Sequence, residues 1–227
     1  MRIRSAVAAV VLMAFAPPLA SAQGVLLEAD RPCYGAHQVI SLTGYGFTPD
    51  GDVALSVDGQ QLGIGIADYD GVFAASLRAP TLPFSEVLLR LTATDQTYLL
   101  NRASAPVRLT SLGVMVTPTT GVPSRPRRIR ARGFFDGSTL YAHIRRDGRT
   151  RNVRLGALRG PCRRLDVTRR LFRPGVRAGA YRLHFDTSRR YLRSAGARVT
   201  YAVTIAKAGT ASASSTGARE RWAQVSP

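Results

Sequence analysis

Arginine dominates the chemistry open to this chain. The sequence has 32 basic residues, and all but Lys207 are arginine. Three of them alternate with apolar residues in Arg128-Ile-Arg130-Ala-Arg132, and Arg154, Arg164 and Arg170 sit beside further alternating runs. A guanidinium is a planar fork of donors that matches phosphate, sulfate and carboxylate. Arg128, Arg130, Arg132, Arg154, Arg164 and Arg170 are therefore the candidate anion-binding residues. The charge is unevenly shared: residues 23–115 carry a net −4 and residues 116–227 a net +20. A GC-rich coding bias accounts for arginine in place of lysine, and a solvated basic face can serve solubility alone. Neither explains why one half is acidic and the other basic. No aromatic row interleaves the arginines, as a single-strand nucleic-acid binder would need, so nucleic acid is not expected as a partner.

Other reactive residues are sparse. His143 and His184 fall on outward positions of their runs, but no third ligand accompanies them, and no metal site is expected. His37 lies near a turn. Asp50, Asp52, Asp68 and Asp70 have the alternate spacing of a calcium loop, yet Asp also favours turns through its own hydrogen bonding. No nucleophile elbow, H-E-x-x-H motif or P-loop is present, and no carboxylate pair is placed for glycoside hydrolysis. The chain is expected to be no enzyme and to use no cofactor. Cys33 and Cys162 are the only cysteines. They could pair within the chain, pair between chains or remain free thiols.

The elements that must carry these residues are strands. Val53, Leu55 and Val57 alternate with Ala54 and Ser56, and the same period of two marks Ile40–Leu42, Val87–Leu91, Leu140–Ile144, Leu165–Val167, Tyr181–Phe185 and Val199–Ile205. Landmarks recur at a near-constant offset: Gly46-Phe47 with Gly133-Phe134, Asp58-Gly59 with Asp147-Gly148, and Asp70-Gly71 with Arg159-Gly160. Residues 23–112 and 113–207 therefore read as two copies of one all-β unit, the first acidic and the second basic. Before them, residues 1–22 have the basic start, apolar run and Ala20-Ser-Ala22 end of a cleaved export signal. Residues 208–227, with the lone Trp222, read as a disordered tail. No second apolar stretch is long enough to span a membrane, so the mature chain is expected to be secreted or at the cell surface.

The run Gly44-Tyr-Gly-Phe-Thr-Pro49, followed by Asp58-Gly59 and Asp70-Gly-Val-Phe73, resembles the bacterial immunoglobulin-like repeats of secreted and surface proteins. The second half keeps Gly133-Phe134 and lacks the following Pro; its Gly179-Ala-Tyr181 is similar to a tyrosine corner. The resemblance implies two tandem antiparallel sandwiches. It implies that the strands of Arg128–Arg132, Arg154 and Leu165–Val167 are B, D and E of one sheet, whose outer face would carry all six arginines. It also places Cys33 in an A–B turn and Cys162 in a D–E hairpin, both at the domain junction, where a Cys33–Cys162 bridge becomes possible. The function expected is a binding or structural module whose basic unit contacts an anionic cell-envelope polymer or an acidic protein. The alternative is an accessory domain pair for an extracellular enzyme or a secretion system, with the charge incidental.

Overall fold

Two Asp-Gly pairs fix how the strands turn. Asp58 and Gly59 have φ of 46° and 87°, and Asp147 and Gly148 have 49° and 74°. Positive φ at both central residues makes the two-residue hairpin whose twist matches that of its strands. Each pair therefore returns the chain alongside the strand it has just left. The computed structural model describes residues 24–83, 85–194 and 196–207; residues 1–22, read above as an export signal, and the tail 208–227 with Trp222 lie outside the described residues.

The first unit has two sheets. One is β1 (Leu26–Ala29), β3 (Val39–Tyr45) and β6 (Phe73–Arg78), in the order β1-β3-β6. The other contains β2 (Cys33–Gly35), β4 (Asp52–Val57), β5 (Gln60–Ile66), β7 (Glu86–Asp95) and β8 (Arg102–Thr110), in the order β2-β8-β7-β4-β5. The second unit repeats this plan. Its small sheet is β9 (Gly113–Thr117), β11 (Arg127–Arg132) and β14 (Leu165–Arg169), in the order β14-β11-β9. Its large sheet holds β10 (Thr120–Gly121), β12 (Thr139–Arg146), β13 (Arg149–Ala157), β15 (Gly179–Asp186) and β16 (Val199–Ile205), in the order β10-β16-β15-β12-β13. In each unit the short strand β2 or β10 runs parallel to the last strand, and every other pairing is antiparallel. This is an immunoglobulin-like plan, with A, B and E in one sheet and A′, G, F, C and C′ in the other. The protein is all-β, two such sandwiches in tandem.

Each unit closes its own core. Phe47, Phe73, Val53 and Leu91 are buried in the first, and Phe134, Phe185, Leu140 and Leu183 in the second. The repeated landmarks are conformational as well as chemical. Gly46 and Gly133 share φ of 79° and 78°, and Gly71 and Gly160 share 73° and 69°. The Tyr181 hydroxyl donates to the Arg177 carbonyl at 2.7 Å, the geometry of a tyrosine corner.

Two expectations need correction. No strand D forms among the described residues; the strand of Arg154 is C′, and β13 pairs with β12 rather than joining the sheet of β11 and β14. The physical reason is the Asp147-Gly148 hairpin, which leaves β13 no choice but to pair with the strand before it. Cys162 accordingly lies in the connection from C′ to E, and Cys33 opens strand β2 rather than sitting in a turn.

Candidate functional site

The junction is the first built feature. Cys33 and Cys162 are disulfide-bonded, with Cα atoms 5.4 Å apart. Only Ser111 and Leu112 separate β8 from β9. Glu86, its side chain 10% exposed, accepts from Arg108 of its own unit at 3.0 Å and from Arg164 of the second unit, whose Nε lies 3.1 Å away. The Phe135 ring packs on Gly35, where a Cβ would meet it at 3.0 Å. Covalent bond, ion pair and ring contact together join the units at this end.

The six expected arginines are divided between the two sheets. Arg128, Arg130 and Arg132 alternate outward along β11, with Arg164 and Arg170 just beyond the ends of β14. Arg128 grips Asp166 through Nε at 2.9 Å and a second nitrogen, which holds that carboxylate below its usual range. Arg164 serves Glu86. Arg130 and Arg132 are half-buried, reaching Met115 Sδ at 3.1 Å and Ser111 Oγ at 3.4 Å. Arg154 lies on the opposite sheet, next to Tyr141. The alternation also turns Arg127 inward. It is fully buried over the Phe172 ring, with one bond to the Arg125 carbonyl, and its Nε and Nη2 have no partner. Burial and then the neighbouring Arg125 lower its pKa.

The outward face of the large sheet is where polar groups converge. His143 and His184 are register partners on β12 and β15, as their outward positions implied. His143 is fully buried, its Nδ1 2.8 Å from Asn152 Oδ1 and its Nε2 2.9 Å from Asp186 Oδ1. Both ring nitrogens are thus occupied, and among the described residues no metal-binding group of three forms. Burial alone would lower the His143 pKa, but the bonds to Asp186 and Asn152 outweigh it and the pKa is raised. Asp186 also accepts from Ser188 N at 2.8 Å and from Arg198 Nε and Nη2 at 3.1 and 3.0 Å. Burial would raise Asp186; the bonds from His143, Ser188 and Arg198 outweigh it and lower it.

Asp186 therefore ties both ends of the loop 187–198 to the sheet. Tyr191, within that loop, packs edge-on against His143 and tilted against His184, with Arg145 and Arg198 each 4.5 Å from its ring centroid. His184, desolvated and facing Arg198, Arg145, His143 and Arg182, is pushed down to about 4. Around this network Arg154, Arg182, Arg189, Arg190 and Arg193 are exposed, and none makes an ion pair among the described residues. Sequence reasoning passed over the loop because it has no period; its signal was composition, Arg-Arg-Tyr-Leu-Arg at 189–193.

Of the four turn aspartates, Asp68 closes its own turn through its carboxylate. Asp68 Oδ1 accepts from Asp70 N at 3.0 Å and Val72 N at 2.8 Å, and Asp50 N donates to the Asp68 carbonyl at 3.2 Å. Buried Asp95 was not singled out. It is the counterpart of Asp186 at the end of strand F, accepting from Thr97 N at 2.8 Å as Asp186 does from Ser188 N.

No family model matches the chain, and no curated protein does. Among solved structures it is similar to a protein described as "Human OSCAR ligand-binding domain", with 12% identity and a TM-score of 0.37, over 80% of this chain and 98% of that one. At that distance the likeness says nothing of what this chain binds. Among the described residues no helix is long and apolar enough to cross a membrane.

Proposed function

We propose that the chain is an exported, non-enzymatic binding protein akin to the bacterial immunoglobulin-like repeats, and that its second unit contacts an anionic polymer of the cell envelope. The observation that carries this reading is the set of exposed arginines, Arg154, Arg182, Arg189, Arg190 and Arg193, that share one side of the large sheet and its loop without a carboxylate among them. Asp186 is consumed internally, so the face keeps its positive potential while the loop stays pinned. Arg128, Arg130, Arg132 and Arg170 extend the basic surface on the other sheet, at lower net charge because Asp166 lies among them. The disulfide supports an oxidising, extracytoplasmic compartment.

Heparin serves as the polyanion probe. The wild-type chain should be retained on a heparin column and elute with salt. The combined change Arg182→Ser, Arg189→Ser, Arg190→Ser and Arg193→Ser should elute at clearly lower salt with an unchanged denaturation midpoint, all four being exposed. Unchanged elution would reduce the face to a solubility feature.

A further inference from the structure

Large apolar side chains are exposed almost wholly on the first unit. Of the twelve that are exposed among the described residues, only Leu192 belongs to the second. Five of the others gather at one end. Tyr98, Leu99 and Leu100 form the loop between β7 and β8 and are 62%, 65% and 96% exposed. Tyr69, at 77%, crowns the loop between β5 and β6, and Ile66, at 68%, ends β5. Ile66 pairs with Asp52, and the Asp52 carbonyl in turn accepts from Gln96 N at 2.8 Å, so Ile66 lies two strand spacings, about 10 Å, from the 96–101 loop. Isolated exposed leucines need no explanation, but a contiguous group does.

The group is held still. Asp95 Oδ2 accepts from Thr48 N and Oγ1 at 2.8 and 2.7 Å, and Oδ1 from Thr97 N and Tyr98 N at 2.8 and 3.1 Å. The loop before β4 is tied to the loop after β5 by Phe47 N to Gly71 O, 3.1 Å, and Ala67 N to Gly51 O, 2.9 Å. Asn101 N closes on the Tyr98 carbonyl at 2.7 Å. Three loops are thus stitched into one tip, which lowers the ordering cost of any association made through it. The tip stands where β8 begins, while the second unit follows where β8 ends, so it faces away from the junction.

We propose that this tip is a protein-docking surface, and that its partner presents an apolar patch rimmed by Lys or Arg. The charge around the tip selects that partner. Asp50, Asp52, Asp68 and Asp70 are all exposed there, against the one exposed basic residue Arg102. A second copy of this chain fits worse, whether it brings its tip or its second unit. Tip against tip sets four aspartates against four, and tip against second unit offers the five apolar side chains a surface with one large exposed apolar side chain, Leu192, among the described residues. Tyrosine and leucine in a rigid loop, with an acidic rim, supply an apolar centre and steering charge at once.

The test selects displayed random peptides on the immobilised full chain, with counter-selection on the Leu99→Asp, Leu100→Asp variant. Both leucines are mostly exposed, so the variant should keep the wild-type denaturation midpoint; Tyr69→Ser, on a different loop, is the second variant should it not. Enriched peptides should combine apolar and basic residues. A synthetic copy should bind wild type at least about tenfold more tightly than the variant, and more weakly at high salt. Enrichment of acidic peptides that bind both proteins alike, or no enrichment, overturns the proposal. So does a concentration-dependent dimer in sedimentation equilibrium that the variant abolishes, since the surface would then belong to a second copy. None of these outcomes depends on heparin binding by the second unit.

Discussion

Asp95 and Asp186 occupy the same place in the two units, and the fates of the loops that follow them differ. Both are buried at the end of strand F, and both accept the amide two residues on. In the first unit the other oxygen reaches Thr48, so the short loop 96–101 is stitched to its neighbour loop and lifts Tyr98, Leu99 and Leu100 into solvent. In the second unit the remaining acceptor capacity goes to His143 and Arg198, so the longer loop 187–198 lies over the sheet with its arginines outward. One clamp thus supports an apolar, acidic tip in one unit and a basic face in the other. The lesson is that the repeat conserves the geometry that fixes a loop, and the residues the clamp can reach decide what the loop displays.

The largest effect should come from separating the two units. Replacing Cys33 and Cys162 by Ser opens a cross-link with a sequence separation of 129, and loop entropy puts the loss at up to about 5 kcal/mol. Denaturant unfolding followed with and without reductant checks this. The oxidised protein should unfold in one transition and the reduced protein in two, and identical curves would mean that Glu86–Arg164 and Phe135 hold the junction without the bond.

Next in size is the clamp itself. Asp186→Ala removes the carboxylate that His143 and Arg198 share and leaves the largely buried Arg198 guanidinium without its counter-charge, a situation that costs about 3–5 kcal/mol. Asp95→Ala orphans only neutral donors, at about 1–3 kcal/mol. Denaturation midpoints should rank the two variants in that order. An equal or reversed ranking would show that Arg198 finds solvent once Asp186 is gone and that its charge adds nothing to the clamp.

Much of this comparison was written in the sequence, and the remainder was hidden for physical reasons. The period of two, the Asp-Gly hairpins and the offset between landmarks gave the strands and the two-unit plan, because turns and alternation are local. The Cys33–Cys162 bond followed once the units were placed end to end. The sheet of Arg154 was missed because a family order was preferred to the hairpin that dictates the pairing. Arg127 was overlooked although the same alternation that turns Arg128 outward turns it in. Asp95 and Asp186 were out of reach: a buried carboxylate at a strand end looks like any turn aspartate until its partners, 47 and 43 positions away, are brought to it.

A smaller contrast tests whether equal backbone means equal tolerance. Gly71 and Gly160 share the same left-handed φ, which costs any other residue about 1–2 kcal/mol. A Cβ at Gly71 would also come within 2.4 Å of the Phe47 carbonyl oxygen, whereas at Gly160 it would meet nothing within 4 Å. Gly160→Ala should therefore lose only the backbone cost, and Gly71→Ala distinctly more, through the 46–51 loop that supports the tip. Equal losses in thermal denaturation would mean that the tip loops yield freely, which would also weaken the case for a rigid docking surface.

The smallest expected effect is a difference in pH response. His184 is pushed from its usual 6.5 to about 4, so between those values the unfolded chain holds a proton that the folded chain does not, and stability falls as pH drops. His143 is shifted the other way: its contribution is fully present below 6.5 and is lost as pH rises through its raised folded pKa. The second unit should thus be most stable near pH 6.5 and decline on both sides, with the acid-side effect from half-buried His184 held to within about 1 kcal/mol by solvent screening. In the first unit Asp30 and Asp95 are lowered and Tyr34 is raised to about 12, so their contributions change only below the usual carboxylate range or above pH 10. In the reduced protein, where the two units open separately, hydrogen exchange of core amides from pH 5 to 8, corrected for the intrinsic exchange rate, resolves them. It should give a peaked profile for β12 and β15 and a flat one for β4 and β7. Parallel profiles would show that the buried His143–Asp186 pair does not titrate with folding, and that the two clamps differ in partners but not in electrostatics.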